Sequence, residues 1–382
     1  MTDTLLLAGL TRLNADLRHQ VPLEMHDPLL FLERGGHRVI VASQLEEARI
    51  RAEAACDEFQ RLEDLGREQL ARELGSRDRA DQRAMVSAVL SAGVHAAAVP
   101  SSFPVGMARE LEQAGVVLEI DDERFAGLRR RKSPQELQGM ERAQVAAEAA
   151  VQRVKAILRE ARRGDDGALY VESAPITVDW LKREVRAELA EHDALLDEFI
   201  LSCGPHTAMG HHVGAGTLRA DEPILVDLWP TDRASGCCTD MTRTFAVGEA
   251  PGWLVERHEL CLEALDAVVP ELRPGARCED LHTIVCEIFE ARGFRTPLSV
   301  RPGESLLDGF PYNLGHGLGL ELHEPPMMRQ GDVTELVEGE VVAVEPALYE
   351  QGVGGVRIED VYVITASGAR RLGGLGHELD VV

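Results

Sequence analysis

The segment VVAVEPALYEQGVGGVRIEDVYVIT, residues 341–365, carries two glutamates, Glu345 and Glu359, in otherwise apolar runs. Its apolar and β-branched residues predict strands at Val341–Leu348 and Val356–Ile364, with both carboxylates inside them. A carboxylate that is buried in a strand without a partner costs several kcal/mol. One such residue requires a partner, and two indicate a shared partner, which a bound cation would provide.

Three residues upstream offer ligands of a similar kind. His316 lies in GHGLGLELHEPP, residues 315–326, where glycines on both sides let the backbone approach a ligand closely. Asp227 closes an apolar run, and Asp240 lies thirteen residues later at the mouth of a predicted strand, so a hairpin would bring both carboxylates together. Each residue alone has an ordinary explanation, as a turn aspartate or a packed histidine. The five residues in this order predict a metal centre.

The ligand set indicates which metal would bind. Four carboxylates and one imidazole form a hard, oxygen-rich set, which favours Mn²⁺, with Co²⁺ or Zn²⁺ as alternatives, over a thiolate zinc site. Five ligands are too many for one ion and suit two divalent ions with bridging carboxylates. Such a pair generates hydroxide near neutral pH and stabilises the tetrahedral intermediate of carbonyl addition. Amide hydrolysis is therefore the expected reaction.

Composition excludes several classes of partner. The 382 residues, 45% of them hydrophobic, suffice for two domains with real cores. A net charge of −25 opposes nucleic-acid binding, so small substrates are expected instead. The seven cysteines lack the spacing of zinc fingers or disulfide scaffolds and look like free thiols. Because no signal peptide or membrane-spanning stretch is evident, we expect a cytoplasmic protein without a membrane partner.

The chain divides near residue 130 into predicted domains 1–128 and 129–382. The first shows a glycine-turn hairpin and helical periodicity over Glu46–Leu74, which indicates a small α/β domain. A basic cluster at the boundary precedes Ser133, Pro134 and Glu136, which give the N-cap, first-turn proline and capping box of a helix reaching about Arg163. The second domain alternates helices and strands without a βαβ rhythm, which predicts an α+β fold.

Three segments carry a family resemblance: GHGLGLELHEPP, VEPALY with VGGVRIED, and DLW followed by TDMTRTF. They resemble the signature segments of the pita-bread metallopeptidases, which include prolidase, aminopeptidase P, methionine aminopeptidase and creatinase. The resemblance covers about residues 133–370. It implies a pita-bread catalytic domain, in which a pseudo-twofold mixed or antiparallel sheet is covered by helices, after a smaller N-terminal α/β domain of the prolidase and creatinase kind.

The resemblance also implies roles for the metal ligands. Asp227 and Glu359 would be shared or terminal carboxylate ligands, and Asp240 a bridging ligand. His316 would be the single imidazole ligand. Glu345 would be both a ligand and the general base as a metal-bound hydroxide attacks the scissile carbonyl.

Three further residues match substrate-binding positions of the family. His211, in GPHTAMGHHVG at residues 204–214, would bind the substrate near the scissile bond. His323 would hydrogen-bond the substrate carbonyl and favour the oxyanion. Arg357 would orient either a ligand carboxylate or the carboxyl group of the substrate.

Prolidase, an Xaa-Pro dipeptidase, is the expected activity, because GHGLGLELHEPP is closer to its pattern than to that of aminopeptidase P. The alternatives are an Xaa-Pro aminopeptidase acting on longer peptides and a non-catalytic binding module on the same fold. The resemblance further implies a homodimer. Departures from the family pattern lie between the two aspartates, where the connection is two residues longer and holds Trp229 and Cys237 at unusual positions.

Overall fold

The structure is a computed structural model that describes residues 2–301 and 303–380. The chain divides into two compact units, Met1–Arg129 and Arg130–Val382. Within the described residues, no helix combines the length and the apolar character that a membrane crossing requires. All the predicted ligands belong to the second unit.

The first unit is built on a mixed six-stranded sheet with a core on each face. Leu5 and Leu7 enter one core, whereas Leu6 and Ala8 enter the other, as the alternation of a strand requires. In sheet order the strands are Glu58–Arg61, His37–Ala42, Leu29–Arg34, Thr4–Gly9, Ala96–Val99 and Val117–Ile120. The helices are Ala15–Gln20, Glu47–Glu53, Arg67–Leu74, Arg77–Ser91, Val105–Gln113 and Asp122–Arg130.

The prediction of a single helix over Glu46–Leu74 is wrong. The segment forms a helix, an edge strand and a second helix instead. Phe59 in the edge strand is buried beside the parallel neighbouring strand. Gly66 directly precedes the second helix and has a left-handed φ of 80°. Burial of the aromatic ring outweighs the modest helix propensity of the charged surface residues.

The second unit begins with the long helix Pro134–Glu160. The Ser133 side chain accepts a hydrogen bond from Glu136 N at 3.1 Å, and the Glu136 carboxylate accepts one from Ser133 N at 2.8 Å. This capping box confirms the predicted helix start, although the helix ends at Glu160 rather than near Arg163. The other α-helices are Val178–Glu191, Gly252–Val268 and Cys278–Ala291.

The strands of the second unit pair antiparallel. A three-stranded sheet contains Ile200–Cys203, Ile224–Leu228 and Met241–Phe245. A five-stranded sheet contains, in order, Glu324–Met328, Gly315–Gly317, Val341–Val344, Asp360–Thr365 and Gly368–Arg371. Shorter ladders pair Ala347–Glu350 with Gly354–Arg357, Ala194–Leu195 with Thr231–Asp232, and Arg162–Arg163 with Leu169–Val171 and Ala174–Pro175. The 3₁₀ helices among the described residues of both units are Thr11–Leu13, Gln44–Glu46, Gly204–Ala208, Val269–Glu271 and Pro297–Ser299.

Each larger sheet of the second unit shares a hydrophobic core with a pair of helices. Helices Pro134–Glu160 and Val178–Glu191 pack with the three-stranded sheet. Helices Gly252–Val268 and Cys278–Ala291 pack with the five-stranded sheet. The same helix-pair arrangement therefore occurs twice in this unit. The second face of the five-stranded sheet contributes Val341, Ala343, Val361 and Val363 to a smaller apolar cluster that includes Met140 of the long helix.

Both glutamates of the opening segment lie at breaks between strands. Glu345 follows Val341–Val344 and precedes Ala347–Glu350, and Glu359 separates Gly354–Arg357 from Asp360–Thr365. The prediction that both lie inside continuous strands is therefore wrong. At Glu345 the chain leaves the five-stranded sheet for the two-stranded ladder, and at Glu359 it returns. Pro346, which has no N–H, suits the first of these transitions.

Candidate metal centre

The two aspartates are positioned by neighbouring strands. Ile224–Leu228 pairs with Met241–Phe245, with Asp227 opposite Thr242, and Asp240 directly precedes the second strand. The predicted pairing of these segments is thus observed. Because Val226 and Leu228 enter the helix-side core, strand alternation directs the buried Asp227 carboxylate to the opposite face of the sheet.

His316 sits in the middle of the short strand Gly315–Gly317. A Cβ on Gly315 would lie 1.9 Å from Ala343 O, so the neighbouring strand approaches too closely for any side chain there. His316 Nδ1 lies 3.0 Å from Gly317 O, which leaves Nε2 to face Asp240 Oδ2 at 3.7 Å and Glu345 Oε1 at 3.9 Å. An imidazole whose Nδ1–H bonds a carbonyl presents the lone pair of Nε2 to a metal.

The backbone amides of the two glutamates are tied to the strands that carry other ligands. Glu345 N donates to Leu314 O at 2.8 Å, close to His316 in the chain, and Glu359 N donates to Thr242 O at 3.1 Å. Thr242 Oγ1 in turn donates to Glu359 Oε2 at 2.7 Å. The strand breaks therefore hold both glutamates against the segments that carry the aspartates and the histidine.

Three of the five predicted ligands lie close enough together to hold a cation. One ligand atom from each of Asp240, His316 and Glu359 lies within 4.8 Å of the others. Asp227 Oδ1 and Asp240 Oδ1 are buried and have no hydrogen-bond partner among the described residues. A buried carboxylate oxygen without a donor is costly and rare. Both atoms are accounted for if they bind metal ions.

The electrostatics of the cluster lead to the same conclusion. Burial, and then the neighbouring carboxylates, raise the pKa of Asp240 and of Glu359 well above the usual range. Burial raises the pKa of Glu345 to about 7, although Arg357 opposes this rise. Burial lowers the pKa of His316 to about 4, so its imidazole is neutral at pH 7. At an effective dielectric constant of about 20, two unit charges 4.8 Å apart repel by about 3 kcal/mol.

Arg357 is a cation built into the centre. Its Nη2 pairs with Asp227 Oδ2, Nε donates to Thr242 Oγ1 at 3.1 Å, and Nη1 donates to the Tyr349 hydroxyl at 3.2 Å. Burial alone disfavours the guanidinium charge, but Asp227 and the other neighbours raise the pKa of Arg357 well above its ordinary value. These contacts place Arg357 on a ligand carboxylate, the first of the two roles that the resemblance implies.

Thr242 and Tyr349 belong to the centre although they were not predicted from the sequence. Each lies within a quoted motif, Thr242 two residues after Asp240 and Tyr349 four residues after Glu345. In the sequence, only their closeness to a predicted ligand pointed to a role in the site. The sequence did not show that both side chains would accept hydrogen bonds from Arg357.

Two of the predicted substrate-binding residues lie on the exposed side of the cluster. The His323 ring meets the His316 ring edge-on, with centroids 4.4 Å apart. Burial, and then the charge of nearby His211, lower the pKa of His323. His211 is exposed, and its chain neighbour His212 stacks on His206 with centroids 4.3 Å apart. The substrate-binding roles of His211 and His323 stay predictions.

The longer connection between the two aspartates is anchored to the long helix. Arg142 donates to both oxygens of Asp232 at 2.9 and 2.8 Å, and Ser235 N donates to Asp232 Oδ2 at 2.8 Å. A Cβ on Gly139 would lie 2.0 Å from Ser235 Oγ, so the helix needs glycine where the connection crosses it. Cys237 is fully buried, and burial raises the pKa of its thiol to about 12. The connection is a fixed part of the structure.

Comparison with known proteins identifies the family. The sequence profile of metallopeptidase family M24 matches residues 138–366, more than half of the chain. The chain belongs to this family. An Xaa-Pro dipeptidase of Pyrococcus horikoshii is 30% identical over 283 residues, which cover 73% of each chain. The family resemblance read from the sequence is confirmed, and the protein is a metal-dependent peptidase.

Solved structures confirm the pita-bread fold. An Xaa-Pro dipeptidase from Bacillus anthracis superposes with a TM-score of 0.78 at 21% identity, covering 99% of this chain and 94% of that one. An X-Pro aminopeptidase from Thermotoga maritima superposes with a TM-score of 0.77 at 19% identity, covering 99% and 97%. At these identities the likeness shows the shared fold and does not distinguish the two activities.

The raised carboxyl pKa values predict that Mn²⁺ binding releases protons. At pH 6 most of the metal-free Glu345 carboxyl, whose pKa is raised to about 7, retains a proton that a cation must displace, whereas the neutral His316 contributes none. At pH 8 Glu345 is already mostly ionised, so fewer protons are released. Calorimetric titrations in two buffers of different ionisation enthalpy measure this number. Equal release at both pH values, or proton uptake, would contradict the electrostatics described.

Proposed function

We propose that this metallopeptidase hydrolyses the Xaa-Pro bond of dipeptides, with divalent cations held by Asp227, Asp240, His316, Glu345 and Glu359. The observation that carries the proposal is the buried acidic cluster beside a neutral imidazole, with two carboxylate oxygens that lack hydrogen-bond donors. The substrate class is supported by the 30% identical relative, which is named as an Xaa-Pro dipeptidase.

Charge balance supports two cations. Four ionised carboxylates against the one guanidinium of Arg357 leave three net negative charges. One divalent ion would leave a negative charge in a buried site, whereas two would leave one positive charge, which suits a site that stabilises a negatively charged intermediate. The oxygen-rich ligand set favours Mn²⁺, with Co²⁺ or Zn²⁺ as alternatives.

The side chains of the site have separate roles in the proposed reaction. When bound, the two cations acidify a water molecule and polarise the scissile carbonyl. Glu345 takes a proton from this water and passes it to the proline nitrogen as the C–N bond breaks. His323 donates to the carbonyl oxygen as negative charge develops there, and His211 binds the substrate beside the bond. Arg357 pairs with Asp227 Oδ2, which leaves Oδ1 as the atom that would bind a cation.

Two alternatives remain open to experiment. An Xaa-Pro aminopeptidase would use the same centre on longer peptides, and the Thermotoga structure shows that an enzyme of this name shares the fold. A non-catalytic binding module is opposed by the complete ligand set. The homodimer and the cytoplasmic location implied by the sequence remain predictions, which gel filtration with light scattering and cell fractionation would test.

Substrate length distinguishes the first two activities. We expect the Mn²⁺-loaded protein to hydrolyse Met-Pro but not a tripeptide with proline in second position, because a dipeptidase recognises the free carboxylate beside the scissile bond. Chromatographic quantification of released methionine measures both rates. Cleavage of the tripeptide alone would establish the aminopeptidase, and cleavage of neither would remove the enzymatic proposal.

Glu345 is tested by an isosteric change. Glu345→Gln should lower kcat by about 10²- to 10⁴-fold, the usual contribution of a general base, while the fold persists. The matched control is Glu338→Gln, which makes the same chemical change at an exposed turn and should leave kcat unchanged. Metal content measured on both variants separates loss of the base from loss of a cation. Near-normal turnover of Glu345→Gln would exclude this residue as the base.

A further inference from the structure

Tyr312 lies in a connection that is tied to the metal centre on both sides. Gly309 exchanges backbone hydrogen bonds with Tyr349 at 2.8 and 2.9 Å, and Leu314 O accepts from Glu345 N at 2.8 Å. Tyr312 stands between these two attachments, and its backbone oxygen lies 3.4 Å from His282 Nε2. Its side chain is therefore held beside the strand break that positions Glu345.

The Tyr312 hydroxyl ends a run of hydrogen bonds that begins at a metal ligand. Its oxygen lies 2.8 Å from the Tyr349 hydroxyl. The Tyr349 hydroxyl accepts from Arg357 Nη1 at 3.2 Å, and Arg357 Nη2 pairs with Asp227. The two phenol rings also contact each other, with centroids 5.7 Å apart. Rotation of Tyr312 is thus restricted by a network that is anchored in the core of the site.

The direction of these bonds follows from what each group can donate. A guanidinium has donors only, so the Tyr349 oxygen is an acceptor towards Arg357. Tyr349 is 3% exposed, and within the described residues the Tyr312 oxygen is the acceptor within reach of its own hydroxyl hydrogen. Since buried donors are rarely left unpaired, Tyr349 donates to Tyr312. The Tyr312 hydrogen is then uncommitted.

Tyr312 and Tyr349 differ in their exposure. Tyr312 is only partly buried, in contrast to Tyr349. Burial and the neighbouring Tyr349 raise the pKa of Tyr312 well above its ordinary value, so the hydroxyl keeps its proton at any pH at which the enzyme would work. Arg357, the cation of the centre, is committed to Asp227. The Tyr312 hydroxyl is therefore a neutral O–H donor, linked through Tyr349 to the arginine of the centre.

From these contacts we infer that Tyr312 is a substrate-binding residue whose hydroxyl donates a hydrogen bond to a negatively charged oxygen of the substrate. The inference rests on the proposed peptidase function. Two substrate oxygens have this chemistry: the oxyanion that forms from the scissile carbonyl, and the terminal carboxylate of the dipeptide. Arg357 would not bind either oxygen, because its guanidinium pairs with Asp227.

Tyr312→Phe removes the hydroxyl and keeps the ring, and Tyr170→Phe is its control. Tyr170 carries a hydroxyl that contacts Asp166 at 3.0 Å on an exposed hairpin. The measurements on Mn²⁺-loaded protein are kcat and KM for Met-Pro, the inhibition constant of free proline, and Mn²⁺ affinity by calorimetry. Mn²⁺ affinity and the thermal unfolding midpoint should not change in either variant.

The two oxygens give different results. A bond to the oxyanion predicts that kcat falls by about ten- to hundred-fold in Tyr312→Phe while the proline inhibition constant is retained. A bond to the carboxylate predicts that KM and the proline inhibition constant rise together by a similar factor while kcat is retained. Either result supports the inference.

Two results would overturn the inference. The first is that kcat, KM and proline inhibition of Tyr312→Phe all stay within about twofold of the wild type, since a lost hydrogen bond to a charged group costs more than this. The second is a loss of Mn²⁺ affinity that accounts for the loss of activity, because it would show that Tyr312 acts only through the ligands. A wild-type protein that cleaves no dipeptide would instead overturn the proposed function itself.

Discussion

The structure around the centre depends on keeping three buried carboxylates and the half-buried Glu345 around one imidazole. Like charges at these separations repel by several kcal/mol, and the single guanidinium of Arg357 offsets only one of them. The surrounding chain is shaped to hold this arrangement. Each of the two larger sheets packs one apolar face against a helix pair. The strands break at Glu345 and Glu359, where the carboxylates are needed. Without cations the site would remain protonated in part.

The same constraint explains why small residues surround the ligands. Gly315 lets a neighbouring carbonyl approach to a distance that excludes a Cβ, which sets the depth of His316. Gly139 likewise leaves room for Ser235 Oγ where the connection between the aspartates crosses the long helix. Arg142 then fixes that connection through Asp232. Two residues more than the family pattern are therefore accommodated by local contacts, without displacing Asp240 from His316 and Glu359.

Much of the site could be predicted from the sequence because it depends on local patterns. The capping box at Ser133 needs only three neighbouring residues. The pairing of Ile224–Leu228 with Met241–Phe245 joins two predicted strands that lie close in sequence. The breaks at Glu345 and Glu359 could not be predicted, because both apolar runs have strand character throughout and only tertiary pairing divides them. The Arg357 contacts were equally hidden, since Asp227 lies 130 residues away in sequence. The helix expected over Glu46–Leu74 was also wrong for a non-local reason, because Phe59 is buried in a strand that pairs with His37–Ala42.

The count of bound ions tests the central claim most directly. Metal-stripped protein would be equilibrated with Mn²⁺, separated from free ions by gel filtration, and analysed by inductively coupled plasma mass spectrometry. The acidic cluster, with two buried carboxylate oxygens that accept no hydrogen bond from the described residues, predicts two Mn²⁺ ions per chain. Retention of a single ion would contradict the dinuclear centre, and retention of none would contradict the metal site altogether.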